Sequence, residues 1–246
     1  MAFDGGCRSL ELSSPEAVAK AAVLNHLGER CQTPPLAIMS EFCFNRSMNR
    51  ADLVVLDRQI TCFEIKTHAD SITRLQNQIE TSRIYFDKVI AVLASKHIQN
   101  ASEHLGEDVG LWEYKHDGTI TILRRGRRNM RPTARLADLM TLQEIRSCLR
   151  SLGCTGAASD RPDLVQQLSS APKNVARQAA LVALSRRFKK STDAFLSATR
   201  GRVVLPSDIK ALSRFLLVRP APACKPCSPE SLEKLLSDLA VSEGNT

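Results

Sequence analysis

The chain has 246 residues, 43% of them hydrophobic, and carries 34 Lys and Arg against 26 Asp and Glu for a net charge of +8. That length supports one large or two modest domains with buried cores. No stretch approaches the roughly 18 apolar residues of a membrane span, and the start lacks a signal-peptide pattern, so no membrane-spanning helix and a cytoplasmic location are expected.

Eight cysteines are scattered, several in apolar segments, which fits reduced thiols better than a disulfide scaffold. Charge is uneven along the chain. Residues 1–120 hold 12 Lys and Arg against 16 Asp and Glu, a net of −4, and residues 121–246 hold 22 against 10, a net of +12. An acidic half beside a basic half suits a metal site next to a polyanion-binding surface.

In chain order, Ser14-Pro15-Glu16 opens a helix running to about residue 28, with Ser at the N-cap and Pro in the first turn. Glu16 and Glu29 belong to this segment, and a solvated helix face is the favoured reading of both. Thr33-Pro34-Pro35 breaks the chain before a strand carrying Glu41. Residues 53–56 and 61–66 are apolar and β-branched runs around Asp57-Arg58-Gln59, which reads as a hairpin. Alternation puts Glu64 and Lys66 on one face and Ile65 on the other, and pairing about the turn brings Asp52 near them. Magnesium prefers oxygen ligands and keeps several waters. Asp52, Glu64, the carbonyl of Ile65 and Glu41 therefore form a candidate set for Mg2+, with Mn2+ as a substitute. Lys66 would orient a water or offset charge on a phosphate. By itself, an Asp followed by Glu-x-Lys is also common on solvated strand edges.

Beyond Lys66, Asp70 is a cap for a helix over about residues 71–85. Ile72, Leu75 and Ile79 face the core at helical spacing, and Arg74, Gln78 and Ser82 line an adjacent face. From there Arg74 and Gln78 can reach a phosphate or the attacking water; a surface salt-bridge face is the plain alternative. Residues 89–93 read as a central strand, parallel to the second hairpin strand through a βαβ unit. A short helix at 98–105 and a second hairpin about Lys115-His116-Asp117-Gly118 complete a domain over residues 1–123.

Arg124, Arg125, Arg127, Arg128 and Arg131 make residues 124–132 a basic linker suited to phosphate contact. Residues 133–246 read as a helical, basic, nucleic-acid-binding region. Thr141-Leu142-Gln143-Glu144 is a capping box for a helix that Gly153 ends, and Asp160 opens the next. This pair weakly resembles the SAP-type DNA-binding motif. A longer helix is expected from 174 through 188, and Ser207 and Ser228 would cap two more. Cys224 and Cys227 lack the second ligand pair that zinc needs. The histidines show no metal-ligand spacing, although His68 follows Lys66 closely. Without a Gly-rich phosphate loop, no nucleotide cofactor is expected.

Asp52, Glu64 and Lys66 together resemble the signature of the PD-(D/E)xK nuclease superfamily, which has the restriction-endonuclease-like fold. More narrowly, Glu41-Phe42, Arg50-Ala51-Asp52, Glu64-Ile65-Lys66, Arg74-Leu75, Gln78, Phe86-Asp87-Lys88-Val89 and Lys96-His97 resemble the sce (seven-seven-two-six) family of bacterial and prophage proteins over about the first half of the chain. The resemblance implies Glu41, Asp52, Glu64 and Lys66 as the active-site set, with Gln78 in support; Arg50 is a further candidate for substrate contact. The chain departs from that family at Thr67 and His68, where EIKSD is usual, and at Ser82, where an aromatic is usual. These changes bear on substrate positioning more than on metal binding.

The expectation is thus an α/β protein with a restriction-endonuclease-like mixed sheet flanked by helices, followed by a basic, mainly helical C-terminal region. The expected function is Mg2+-dependent cleavage of phosphodiester bonds, with DNA as the partner and a homodimer left open. The alternative is a DNA-binding protein without catalysis on the same fold. An aromatic content of 4% argues against a single-strand binder built on stacking.

Overall fold

The apolar runs about Asp57 form the expected hairpin. β2 (Arg50–Leu56) and β3 (Ile60–Lys66) pair antiparallel with Leu53 opposite Phe63 and Leu56 opposite Ile60, and Asp57 Oδ1 accepts the Gln59 N–H at 2.8 Å in the turn. β1 (Ala37–Cys43) lies antiparallel on β2. On the other side β4 (Lys88–Ala94) runs parallel to β3, and β5 (Gly110–Tyr114) runs parallel to β4. β6 (Ile120–Arg124) closes the second hairpin antiparallel to β5. The result is one mixed sheet with its strands in sequence order. The computed structural model describes residues 14–29, 33–44, 49–154 and 160–212; the expected cap at Ser228 and the pair Cys224 and Cys227 lie outside them.

Helices cover both faces. On one, α1 (Pro15–Gly28), α8 (Lys189–Thr199) and a 3-10 helix (Pro206–Leu212) pack Ala19, Val23, Phe195 and Ile209 against Leu53, Phe63, Ile65, Val92 and Trp112. On the other, α2 (Leu75–Tyr85), α3 (Ile98–His104), α4 (Thr133–Asp138), α5 (Leu142–Ser151), α6 (Arg161–Ser170) and α7 (Lys173–Arg186) share a core with Met39, Val54, Cys62, Ala91, Leu93 and Leu111. The mixed α/β sheet flanked by helices, with helices following it, is the class expected. No described helix is long and apolar enough to cross a membrane.

Local signals decide most of the boundaries. Ser14 Oγ accepts the Ala17 N–H and Pro15 starts α1. Thr141 and Glu144 form the full capping box of α5, and Asp160 caps α6. Three expectations shift. Asp70 does not cap a helix at residue 71, because its Oδ2 accepts both the N–H and the hydroxyl of Thr67 at 2.7 Å and closes the turn after β3. α2 therefore begins only at Leu75, and Arg74 precedes it. The helix expected from 174 through 188 is α7, which ends at Arg186, and a separate helix, α8, starts at Lys189 after Phe188. Ser207 lies within the 3-10 helix, and Asp208 Oδ2 is the group that accepts the Leu205 N–H.

Part of the positive charge of the second half holds the fold together. The buried Arg177 pairs with Asp87, whose carboxylate also accepts the N–H groups of Ile60 and Arg131 at 2.8 Å each. Arg187 pairs with Glu144 and lies over the rings of Phe188 and Phe42. The basic stretch after β6 is bound to the sheet: Arg124 donates to the carbonyls of Val109 and Leu105, and Arg128 donates to that of Arg58. Gly126 lets this stretch approach. Its φ is +70°, and a Cβ there would sit 2.4 Å from the Gly110 nitrogen. Gly126→Ala is expected to cost about 2 kcal/mol or more, read as a lowered urea midpoint.

Candidate active site

The site opens where β2 and β3 part. Their ladder ends at Leu53 and Phe63, and in that register the next residues to face one another are Asp52 and Glu64. Like charges directly opposite disfavour pairing. Asp52 Oδ2 instead accepts the Ile65 N–H at 2.7 Å, satisfying a donor that the ladder leaves over. β3 stays paired with β4 as far as Lys66, so Glu64, Ile65 and Lys66 are held from that side.

Glu64 is 1% exposed. Ser82 Oγ on α2 donates to its Oε1 at 2.8 Å, and the Cys62 thiol lies 3.5 Å from the same oxygen. Its Oε2 is buried without a partner. Burial, and then the negative charge of Asp52, push the Glu64 carboxyl up to about 7, against the pull of Ser82 and Lys66. Burial also raises Asp52, opposed by the Ile65 hydrogen bond and the Lys66 charge. One turn before Ser82, Gln78 carries a buried side-chain oxygen that also lacks a partner.

Glu41 reaches the site through its backbone. It is the one described residue other than glycine with positive φ, at 56°, a conformation that costs such a residue of the order of 1–3 kcal/mol. The kink changes the phase of β1. Ile38 points to the α1 layer and Met39 to the α2 layer, yet Phe42 joins Met39 in the latter, while the Glu41 carboxylate meets α1. There Lys20, 3% exposed, contacts Glu41 Oε1, Glu16 Oε1 at 2.6 Å and Ser40 Oγ at 3.0 Å. Arg50 Nε lies 2.5 Å from Glu41 Oε2. Burial raises Glu41, as does its hydrogen bond with Glu16. Burial also pushes Glu16 upward, but its hydrogen bonds with Glu41 and Lys20 and the Lys20 charge outweigh that and leave it low.

Glu16, Glu41 and Asp52 can each place a carboxylate oxygen within 4.8 Å of the other two. Glu64 is not in that set; it flanks Asp52 on the α2 side. Of the expected acids, Asp52 lies between the other two: it shares the 4.8 Å set with Glu41 and with Glu16, which was not expected there, and its charge acts on Glu64, so the centre has two lobes, Glu16 with Glu41 and Asp52 with Glu64. Lys66 is half-buried at the end of β3, Arg74 is exposed, and Arg125 and Arg127 are exposed beyond β6. The His68 ring stacks on that of His116 at 5.3 Å, and Lys96 Nζ donates to the His68 carbonyl at 2.5 Å. Sequence reading favoured a solvated Glu16 and passed over Lys20 and Ser40. A signal for both existed, since Glu16 and Lys20 are four apart on a helix otherwise rich in alanine.

Carboxylate oxygens, a backbone carbonyl and three orphaned side-chain oxygens, those of Glu16, Glu64 and Gln78, are the kind of ligand a hard divalent cation takes. Fold and site together define a mixed-sheet α/β protein with a partly buried acidic centre where two strands separate. The chain belongs to the bacteriophage P4 protein cII family, whose model matches residues 11–213. It is similar to Protein cII of Enterobacteria phage P4, with 25% identity over 209 residues that cover 81% of this chain and 78% of the relative. Among solved structures it is similar to a protein of unknown function from Silicibacter pomeroyi, with 17% identity and a TM-score of 0.39, over 59% of this chain and 97% of that one.

Proposed function

We propose that the chain is a metal-dependent nuclease that hydrolyses phosphodiester bonds, with DNA as its substrate. The observation that carries this is Glu64: a buried carboxylate with one oxygen held by Ser82 and the other unpartnered, beside an Asp52 fixed on the Ile65 N–H. An unsatisfied buried polar atom costs about 1–3 kcal/mol, which a cation or a polarised water at Oε2 would offset. Held by Asp52, Glu64 and the Ile65 carbonyl, Mg2+ or Mn2+ supplies neutralisation of phosphate charge and a water of lowered pKa.

The chain's own residues do the rest. Lys66 shares the strand face of Glu64 and is partly open to solvent, so its ammonium can orient the attacking water or balance the pentavalent phosphate. Gln78 offers its free side-chain oxygen to the same water. Arg74, Arg125 and Arg127 are exposed cations for the phosphate backbone, and Arg50, which holds Glu41, lies beside them in function as the positioning group.

The test is a panel of linear duplex, single-stranded and branched DNA with Mg2+ or Mn2+, run beside Asp52→Ala and Lys66→Ala. Wild type should cut at least one member, and each variant should lose about 100-fold or more. Steeply salt-dependent binding of all three proteins without cutting would instead identify a DNA-binding protein without catalysis.

A further inference from the structure

Resting on the nuclease reading, we infer that Lys20 takes the place of a second divalent ion, so that the acidic centre holds a single metal ion on the Asp52 and Glu64 lobe. An ammonium group has three N–H donors and no acceptor. Lys20 Nζ donates to Glu41 Oε1 and Ser40 Oγ and lies 2.6 Å from Glu16 Oε1 in an ion pair, so its charge is opposed by two carboxylates at contact distance. At 3% exposure it is a fixed internal cation. It cannot leave without stranding two carboxylates beside each other, and it cannot stay without repelling a divalent ion set between them.

The other lobe differs. Asp52 and Glu64 have no buried lysine bridging them, and Glu64 Oε2 has no partner at all. Glu16 Oε1 likewise accepts no hydrogen bond, but it faces the Lys20 ammonium at 2.6 Å; the acidic centre is thus divided between a side that carries its own buried cation and a side that does not. The left-handed backbone of Glu41 belongs to the first lobe: it turns that carboxylate toward α1, where Lys20 meets it. Arg50 then closes the remaining Glu41 oxygen. A lysine built into the helix removes the need for a second metal and fixes the position of Glu41 at every metal concentration.

The experiment is Mn2+ titration of the purified full chain, followed by calorimetry and by the electron paramagnetic resonance of free Mn2+, with no nucleic acid present. Wild type should bind one ion. Lys20→Met keeps the length of the side chain and removes its charge, and should bind two. Lys20→Met combined with Glu16→Gln removes a ligand of the new site and should return to one, which also guards against a Lys20→Met protein weakened by carboxylate repulsion. Two ions in wild type, or one in a folded Lys20→Met protein, would overturn the role of Lys20 and leave the nuclease reading standing. No ion bound by wild type would overturn both.

Discussion

Asp87→Ala should destabilise the protein by about 3–5 kcal/mol, the size seen when one partner of a buried charged pair is removed. The Asp87 side chain is fully buried and the Arg177 side chain nearly so. Losing the carboxylate strands the Arg177 guanidinium in the core and leaves the N–H groups of Ile60 and Arg131 without their acceptor. Those three donors come from β3, from the stretch after β6 and from α7, so a single side chain ties the strand bearing Glu64 to the helices beyond the sheet. At roughly 2–4 °C per kcal/mol for a chain of this size, the thermal midpoint should fall by about 10 °C. Arg177→Ala should act in the same direction. A midpoint unchanged in both variants would show that the tie carries no stability.

Glu64→Gln should make the metal-free protein more stable at pH 8. The folded carboxyl titrates at about 7 against an ordinary 4.5. The folded state therefore binds this proton more tightly than the unfolded state does. Stability is highest below about 4.5, declines as pH rises toward 7, and the loss is complete above that, at on the order of 3 kcal/mol. Glutamine removes the titration. The variant and wild type should match near pH 4 and diverge through neutrality, with the variant higher. Adding Mn2+ at pH 8 should reverse the order, because the cation favours the carboxylate and the amide offers it less. Parallel stability curves across pH 4–8 would show that the Glu64 charge is not penalised by its surroundings.

The sheet could be read from local pattern. The two apolar runs about Asp57 fix a hairpin, and pairing about its turn brings Asp52 to the Glu64–Lys66 segment; the hairpin is present, and Asp52 meets that segment at the Ile65 N–H. Helix caps with a side chain three residues from its donor, at Ser14, Thr141 and Asp160, were equally readable. What could not be read depends on contacts between distant segments. Asp70 looks like a cap, but Thr67 offers it two donors first. Nothing in Ser40-Glu41-Phe42 announces a left-handed residue; the kink is set by Phe42 packing with Phe86 and Phe188 on one side and by Lys20 on the other. Lys20 looks like a surface lysine until β1 covers it. The arginines of the second half look like a polyanion surface, yet Arg124, Arg177 and Arg187 find carbonyl or carboxylate partners 15 to 90 residues away.

The most direct measurement is incubation of supercoiled plasmid DNA with wild type and with Asp52→Asn, each in Mg2+ and in chelator. Wild type in Mg2+ should give nicked or linear DNA, while chelated wild type and Asp52→Asn in either condition should leave it intact. If wild type in Mg2+ leaves the plasmid supercoiled and retards it on a gel just as Asp52→Asn does, the acidic centre does not cleave phosphodiesters in that DNA and the nuclease account is contradicted.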